Sequence, residues 1–224
     1  RYLATPDGPR QRVLDAWRPS LRRVGAAELT TPAGIGMLGE AFDLTGEPPV
    51  RVWLVTGDDQ VTPVAVVVIA HHITMDGESA GIVQRELASL LAGHDLGPAP
   101  TGFAAVARQM AADDERSRVA LVDFWRRALE GHSGELDLAQ RRPVVRDLRT
   151  STTEYRLEDA VGQAIPAAAR RSSASEFHIL HAALVLALAV QSGSDDIALA
   201  TPASMRRDSD TAGTVGMLIS TVVL

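Results

Sequence analysis

The sequence contains no cysteine and no lysine, and each absence excludes a class of chemistry. Without cysteine, the chain has no disulfide scaffold, no cysteine-ligated zinc site and no thiol nucleophile. All 22 basic residues are arginine, so the lysine of a Schiff-base enzyme or of a P-loop is also missing.

Long apolar runs are also absent. The most apolar run, residues 177–190, contains His178 and His181 and falls short of the roughly 20 apolar residues that span a membrane. We interpret this run as a buried core helix. The first residues do not have the character of a signal peptide, so we expect a cytoplasmic protein.

The composition is that of a globular protein. Hydrophobic residues make up 46% and charged residues 22% of the 224 positions. The formal net charge of −6 argues against a general nucleic-acid binder and against a polybasic membrane binder.

Helical and strand patterns are mixed along the chain, which predicts an α/β (α+β) fold. Residues 50–56 and 62–70 indicate a hairpin, and the second run is apolar on both faces, which is typical of a central buried strand. Since residues 219–224 break off within a predicted strand, we expect a piece of a longer chain. Further strands are predicted at residues 152–157, 197–201 and 217–224, and helices at 32–41, 78–92, 114–130 and 176–192.

Two motifs overlap directly after the second strand of the hairpin. Residues 77–81 read Gly-Glu-Ser-Ala-Gly, the pattern of the nucleophile elbow that exposes a serine in α/β-hydrolases. In that interpretation Ser79 is the nucleophile of an esterase. However, residues 71–76 separate the strand from the turn, and no His-Gly-Gly segment lies upstream to supply an oxyanion hole.

Residues 71–77 read His-His-Ile-Thr-Met-Asp-Gly, a much rarer pattern. A histidine at the end of a strand is well placed as a base, and Asp76 can orient it or anchor the loop through an arginine. The Gly77 N–H begins a helix and is a candidate oxyanion donor. Adjacent side chains on a strand point to opposite faces, so we expect a packing or hydrogen-bonding role for His71, and a metal site built from both histidines is disfavoured.

Residues 71–77 resemble the His-His-x-x-x-Asp-Gly hallmark of the condensation domains of non-ribosomal peptide synthetases, which belong to the chloramphenicol-acetyltransferase-like superfamily. Ser79 also matches the serine that follows the hallmark. Further segments resemble the family in family order, and they are Phe42-Asp43-Leu44 with Pro48-Pro49-Val50-Arg51, residues 123–129, residues 193–197, residues 200–206 and residues 216–221.

The resemblance implies two acetyltransferase-like lobes, each a sandwich of a sheet layer and a helix layer, with the active site between them. Residues 1–140 then form the first lobe, and residues 141–224 form a linker and the beginning of the second lobe. We expect the domain to be incomplete at both ends. The implied reaction joins a donor thioester to an acceptor amine in secondary metabolism, such as antibiotic biosynthesis. Donor and acceptor carrier proteins deliver both substrates on phosphopantetheine arms, beside neighbouring synthetase domains.

Carried onto this sequence, the resemblance makes His72 the catalytic residue. It gives His71, Asp76 and Arg206 supporting roles, with an ion pair between Asp76 and Arg206. Gly77 is the oxyanion candidate, and no directly bound cofactor or metal is implied. Epimerization and ester-forming members of the superfamily share the motif and stay open as alternatives. Ser79 becomes a helix-start or channel residue, and Glu78 is a channel candidate because a tryptophan often stands at its position.

Overall fold

The structure, a computed structural model, describes residues 1–14, 17–138 and 152–224. Its helices and strands are mixed along the chain, as the sequence predicts. The strands are β1 (Tyr2–Thr5), β2 (Gly8–Gln11), β3 (Leu21–Gly25), β4 (Val50–Thr56), β5 (Pro63–Ala70), β6 (Ala200–Ser204) and β7 (Ile219–Val223). The helices are α1 (Ala26–Leu29), α2 (Pro32–Leu38), α3 (Gly77–Leu91), α4 (Phe103–Ala128), α5 (Asp159–Arg171), α6 (Glu176–Ser192) and α7 (Ser209–Ala212).

These elements fall into two compact units. The first contains Arg1–Arg116 and Pro202–Ser220, and the second contains Ser117–Thr201 and Thr221–Leu224. The predicted division at residue 140 lies outside the described residues, as does the proline-containing part of the predicted linker around Pro143. The first unit therefore includes Pro202–Ser220 from late in the chain, and this segment completes the site described below.

The sheet of the first unit has the strand order β3-β4-β5. The strands β3 and β4 run parallel, whereas β4 and β5 form the predicted antiparallel hairpin. Val24, Trp53 and Val55 form the core of this sheet. They pack against partly buried apolar residues of the sheet, α1 and α2, namely Ala26, Leu29, Met37, Leu38, Val67 and Ile69.

The prediction that the second hairpin strand is central and fully buried is wrong. Within the described residues β4 is the central strand and β5 pairs only with β4. Val64 and Val68 on β5 are 59% and 37% exposed. An apolar run shows that a strand tolerates burial on both faces, but the order of strands decides which one lies in the middle.

Helix α6 matches its predicted bounds but not its predicted burial. Its N-cap Ser175 accepts a hydrogen bond from the His178 N–H, and Gly193 ends it in the left-handed conformation at φ 70°. Helix α5 packs against α6, yet several large apolar side chains of α6 are exposed, namely Phe177, Leu180, Leu184, Leu186 and Val190. Because α6 is apolar on all sides, one neighbouring helix cannot cover it.

No single helix within the described ranges is long and apolar enough to cross a membrane, although α5 and α6, bent by 108°, pass that test as a pair. The strand predicted at residues 152–157 is wrong, since these residues form no strand and Tyr155 is 89% exposed. Alternation of apolar and polar residues supplies no pairing partner, and a strand needs one.

Candidate active site

The histidine motif occupies the connection between β5 and α3. The His71 N–H donates to the Pro49 carbonyl at 3.0 Å, which extends the hairpin pairing by one residue. The chain then turns, and the Thr74 N–H donates back to the His71 carbonyl at 2.8 Å. The Tyr2 hydroxyl also donates to the Ile73 carbonyl at 3.0 Å, which ties the turn to β1. The motif is therefore held from both sides by the sheet and by β1.

His71 closes this turn with its own side chain. Its Nδ1 accepts a hydrogen bond from the Ile73 N–H at 3.1 Å. The imidazole also lies edge-to-face against the Phe42 ring, with 6.1 Å between the ring centroids. Through this hydrogen bond and this ring contact, His71 closes the turn and packs against Phe42. This arrangement fits the packing role predicted for His71.

His72 lies at the next position, within the turn, and its side chain is exposed. The backbone on either side of it is fixed by the hydrogen bonds of His71 and Thr74. An exposed imidazole on a fixed backbone is available to a substrate without first breaking an internal contact.

Asp76 is buried and accepts five hydrogen bonds. One carboxylate oxygen accepts from the N–H and the hydroxyl of Ser79, both at 2.8 Å, and from Arg206 Nη2 at 3.0 Å. The other accepts from Arg206 Nη1 at 2.8 Å and from the Leu218 N–H at 2.9 Å. Asp76 is thus the N-cap of α3 and also binds a segment far along the chain. With its oxygens engaged in this way, it is unsuited to bind a metal.

The expected ion pair between Asp76 and Arg206 is present. The guanidinium binds both carboxylate oxygens, and the Arg206 side chain is only 4% exposed. Its Nη2 also donates to the Ser79 hydroxyl at 2.8 Å and to the Thr214 carbonyl at 2.9 Å. The planar fork of arginine makes all of these contacts at once, which the single ammonium of a lysine cannot do.

These contacts control the ionisation of Asp76. Burial by itself raises the pKa of Asp76, but the hydrogen bonds from Arg206 and from the Ser79 and Leu218 N–H groups hold it well below its usual range. Asp76 therefore remains a carboxylate at neutral pH, and a group so easily ionised is a poor proton donor or acceptor.

Ser79 is fully buried, which contradicts both interpretations that expose it. Its Oγ accepts from the Gly216 N–H at 3.0 Å and from Arg206, and it lies 2.8 Å from the Gly216 carbonyl. No imidazole hydrogen bonds to it within the described residues, and its exposed fraction is 0%. Ser79 is therefore neither a channel residue nor an accessible nucleophile. It joins the start of α3 to residue 216.

Gly77 and Glu78 lie in the first turn of α3, and both are exposed. As the first residue of the helix, Gly77 has an N–H with no acceptor inside the helix. The Glu78 carboxylate lies 3.5 Å from Arg206 Nη1 and is 53% exposed. Glu78 is thus the outer of two carboxylates on one guanidinium, and it retains contact with solvent.

Sequence reasoning missed the backbone groups that complete this cluster. The Thr214 carbonyl accepts from Arg206, the Gly216 carbonyl lies 2.8 Å from Ser79 Oγ, and the Leu218 N–H donates to Asp76. No side-chain pattern identifies a backbone partner. The only sequence signal was the family-like segment at residues 216–221, which begins at one of these positions.

Comparison with known proteins gives the family. The family profile described as Condensation domain matches residues 12–224. The chain belongs to the condensation-domain family. The recognition of that family in the sequence and the predicted fold class are both confirmed.

This condensation domain resembles parts of large synthetases. It is 31% identical to the probable non-canonical nonribosomal peptide synthetase CymA of Salinispora arenicola, over 99% of the chain and 3% of that protein. It is 30% identical to the isonitrile lipopeptide synthase of Mycobacterium tuberculosis, over 82% of the chain and 8% of that protein.

Among solved structures, the X-domain from teicoplanin biosynthesis shares the fold, with a TM-score of 0.77 at 23% identity. The match covers all of this chain and 52% of that one. The condensation domain described here thus spans about half the length of that relative and a few per cent of the curated ones.

Proposed function

We propose that this chain contributes the histidine motif of an enzyme that forms an amide bond between a donor thioester and an acceptor amine. The observation that carries the proposal is the exposed His72 on a turn anchored by the buried pair of Asp76 and Arg206. The family supports the same chemistry, because relatives of this chain are named as nonribosomal peptide synthetases.

The reaction needs one proton transfer and one charge to be stabilised. The acceptor nitrogen attacks the thioester carbonyl carbon, the C–N bond forms, the C–S bond breaks, and the thiol leaves with the proton that the amine gives up. The His72 imidazole can take that proton as a general base, or it can donate a hydrogen bond to the tetrahedral oxyanion. Both roles require an accessible ring at a fixed position.

In this proposal Asp76 and Arg206 fix the loop and do not carry the proton. Their carboxylate and guanidinium bind each other, the first turn of α3, and backbone groups of residues 214–218. Loss of either partner would leave a buried charge without its counter-ion, so loss of activity in such variants reports structure rather than chemistry.

Two further groups face solvent at the start of α3. The Gly77 N–H lies at the positive end of a 15-residue helix and is a candidate donor to the oxyanion. Glu78 carries a negative charge beside it, and we assign it to the wall of the substrate channel.

The substrates in this proposal arrive on the phosphopantetheine arms of donor and acceptor carrier proteins, and neighbouring synthetase domains load those carriers. The thioester is itself an activated form of the acyl group, so the transfer step needs no nucleotide.

The test follows acceptor extension by mass spectrometry, with a loaded donor carrier and a loaded acceptor carrier. The protein tested contains this chain within a complete domain of the family. His72→Ala should lower the rate of extension by about 10²- to 10⁴-fold, the usual contribution of a general acid–base group. His94→Ala, a change at an exposed histidine beyond the end of α3, should leave the rate unchanged.

Three results would redirect the assignment. Extension that survives His72→Ala would remove the histidine from the chemistry. Exchange of the α-hydrogen of a carrier-bound aminoacyl group without an acceptor would indicate epimerization. Extension of a hydroxyl acceptor in preference to an amine would indicate the ester-forming class.

A further inference from the structure

Arg51 on β4 holds the segment that precedes the hairpin. Its Nη1 donates to the Glu40 carbonyl at 2.8 Å, and its Nη2 donates to the Ala41 carbonyl at 2.9 Å and to Glu47 Oε1 at 2.5 Å. The guanidinium carbon lies 4.1 Å from the centre of the Phe42 ring. With its side chain only 10% exposed, Arg51 fixes both the backbone around Phe42 and the plane of the ring.

The Phe42 ring lies between Arg51 and His71. Arg51 pairs with Ile69 in the hairpin register, and His71 follows Ile69 by two residues, so the side chains of Arg51 and His71 leave the same face of the hairpin. Phe42 contacts the cation at 4.1 Å and the imidazole, edge-to-face, at 6.1 Å. The Phe42 ring therefore packs between Arg51 and His71, and a shift of Arg51 would change the contact of the ring with His71.

The orientation of His71 matters because its Nδ1 closes the turn that carries His72. That nitrogen accepts from the Ile73 N–H only while the ring keeps its orientation. Without Phe42 against it, the imidazole can rotate about its own side-chain bonds, and the turn loses one of its hydrogen bonds.

We propose that Arg51 and Phe42 are positioning residues for the histidine loop: Arg51 holds the Phe42 ring against His71, and His71 in turn fixes the backbone that presents His72. The proposal rests on the proposed function in assigning the chemistry to His72, but the packing that it describes can be tested without that chemistry.

The experiment compares Arg51→Lys and Phe42→Leu with wild type and with two controls. Lysine keeps the charge but cannot reach both carbonyls and Glu47 at once, and leucine keeps the apolar volume but removes the ring. Phe42→Tyr retains the ring and should behave as wild type. Arg22→Lys changes another arginine, which lies on β3 with its guanidinium carbon 6.0 Å from the centre of the Trp53 ring. This variant should also behave as wild type.

The first measurement is the ¹⁵N and ¹³C NMR spectrum of histidine-labelled protein at neutral pH, after thermal unfolding has shown that each variant is folded. Wild type, Phe42→Tyr and Arg22→Lys should show the same His71 Nδ1 signal, that of a nitrogen that accepts a hydrogen bond. Arg51→Lys and Phe42→Leu should show an averaged tautomer. Unchanged His71 signals in both of these variants would overturn the proposal.

The second measurement separates kcat from KM in the extension assay. Arg51→Lys and Phe42→Leu should lower kcat by about tenfold or more and change the acceptor KM by less than about twofold, as expected when a reacting group is misplaced. A change in KM alone would overturn the positioning role. If wild type extends no acceptor, the proposed function fails, and the His71 signals still decide the positioning of the loop.

Discussion

At the scale of single residues, Asp76 binds groups from parts of the chain that are far apart in sequence. It caps α3, forms an ion pair with Arg206 and accepts a hydrogen bond from the Leu218 N–H. Its neighbour His72, by contrast, is exposed. The motif therefore divides its work, because the aspartate holds the structure and the histidine remains available.

We predict that Asp76→Asn lowers the free energy of unfolding by about 3–5 kcal/mol, because it leaves the buried Arg206 without a counter-charge. Urea denaturation at pH 7 measures the change. Asp123→Asn is the matched control, since it breaks an exposed pair with Arg126, at 2.6 Å, and should cost less than about 1 kcal/mol. Equal losses in the two variants would show that the pair of Asp76 and Arg206 has no special weight.

At the scale of elements, the start of α4 packs closely against the segment that carries Gly216. A Cβ atom at residue 216 would overlap the Phe103 ring. The N–H of the same glycine donates a hydrogen bond to the Ser79 hydroxyl oxygen. Residue 216 is thus the point where α3, α4 and the late segment meet, and the absence of a side chain permits the approach.

We predict that Gly216→Ala lowers the free energy of unfolding by roughly 1–3 kcal/mol through overpacking. Phe103→Leu in the same chain should recover part of that loss, so the double-mutant cycle should show a coupling energy of at least about 0.5 kcal/mol. Gly162→Ala in α5, where a Cβ meets nothing within 4 Å, is the control and should stabilise slightly. Strictly additive changes at residues 216 and 103 would contradict the steric explanation.

The sequence predicted those elements whose signals are local. The hairpin of β4 and β5, the bounds of α3 and the capped start of α6 follow from periodicity and from capping residues. The position of β5 at the edge of the sheet and the exposure of α6 depend on which elements lie beside them, and no local pattern reports that. The burial of Ser79 was missed for the same reason, because residues 206 and 216 bury it from far along the chain.

At the scale of the whole molecule, acid should weaken the fold through its carboxylates. The pKa of Asp76 is lower in the folded chain than in the unfolded chain, so its stabilisation is complete above the ordinary aspartate pKa of about 4 and is lost as the pH falls further. The pKa values of Asp43, Glu47, Asp59 and Asp208 are also lowered by local hydrogen bonds, and these groups act in the same direction.

We predict that the free energy of unfolding of wild type falls more steeply between pH 5 and pH 2 than that of Asp76→Asn, so that the two curves converge in acid. Urea denaturation at half-unit steps of pH measures both curves. Parallel curves would show that Asp76 titrates alike in the folded and unfolded chains, which the buried pair does not allow.

The hydrogen bond between Leu218 and Asp76 joins residues that are 142 positions apart. A ribosome that adds about 5–20 residues per second makes Asp76 roughly 7–30 seconds before Leu218. During that interval the cap of α3 is present, but the guanidinium and the backbone that enclose it do not yet exist. The Asp76 carboxylate therefore lacks Arg206 and the Leu218 N–H as partners until residues 206–218 have been synthesised.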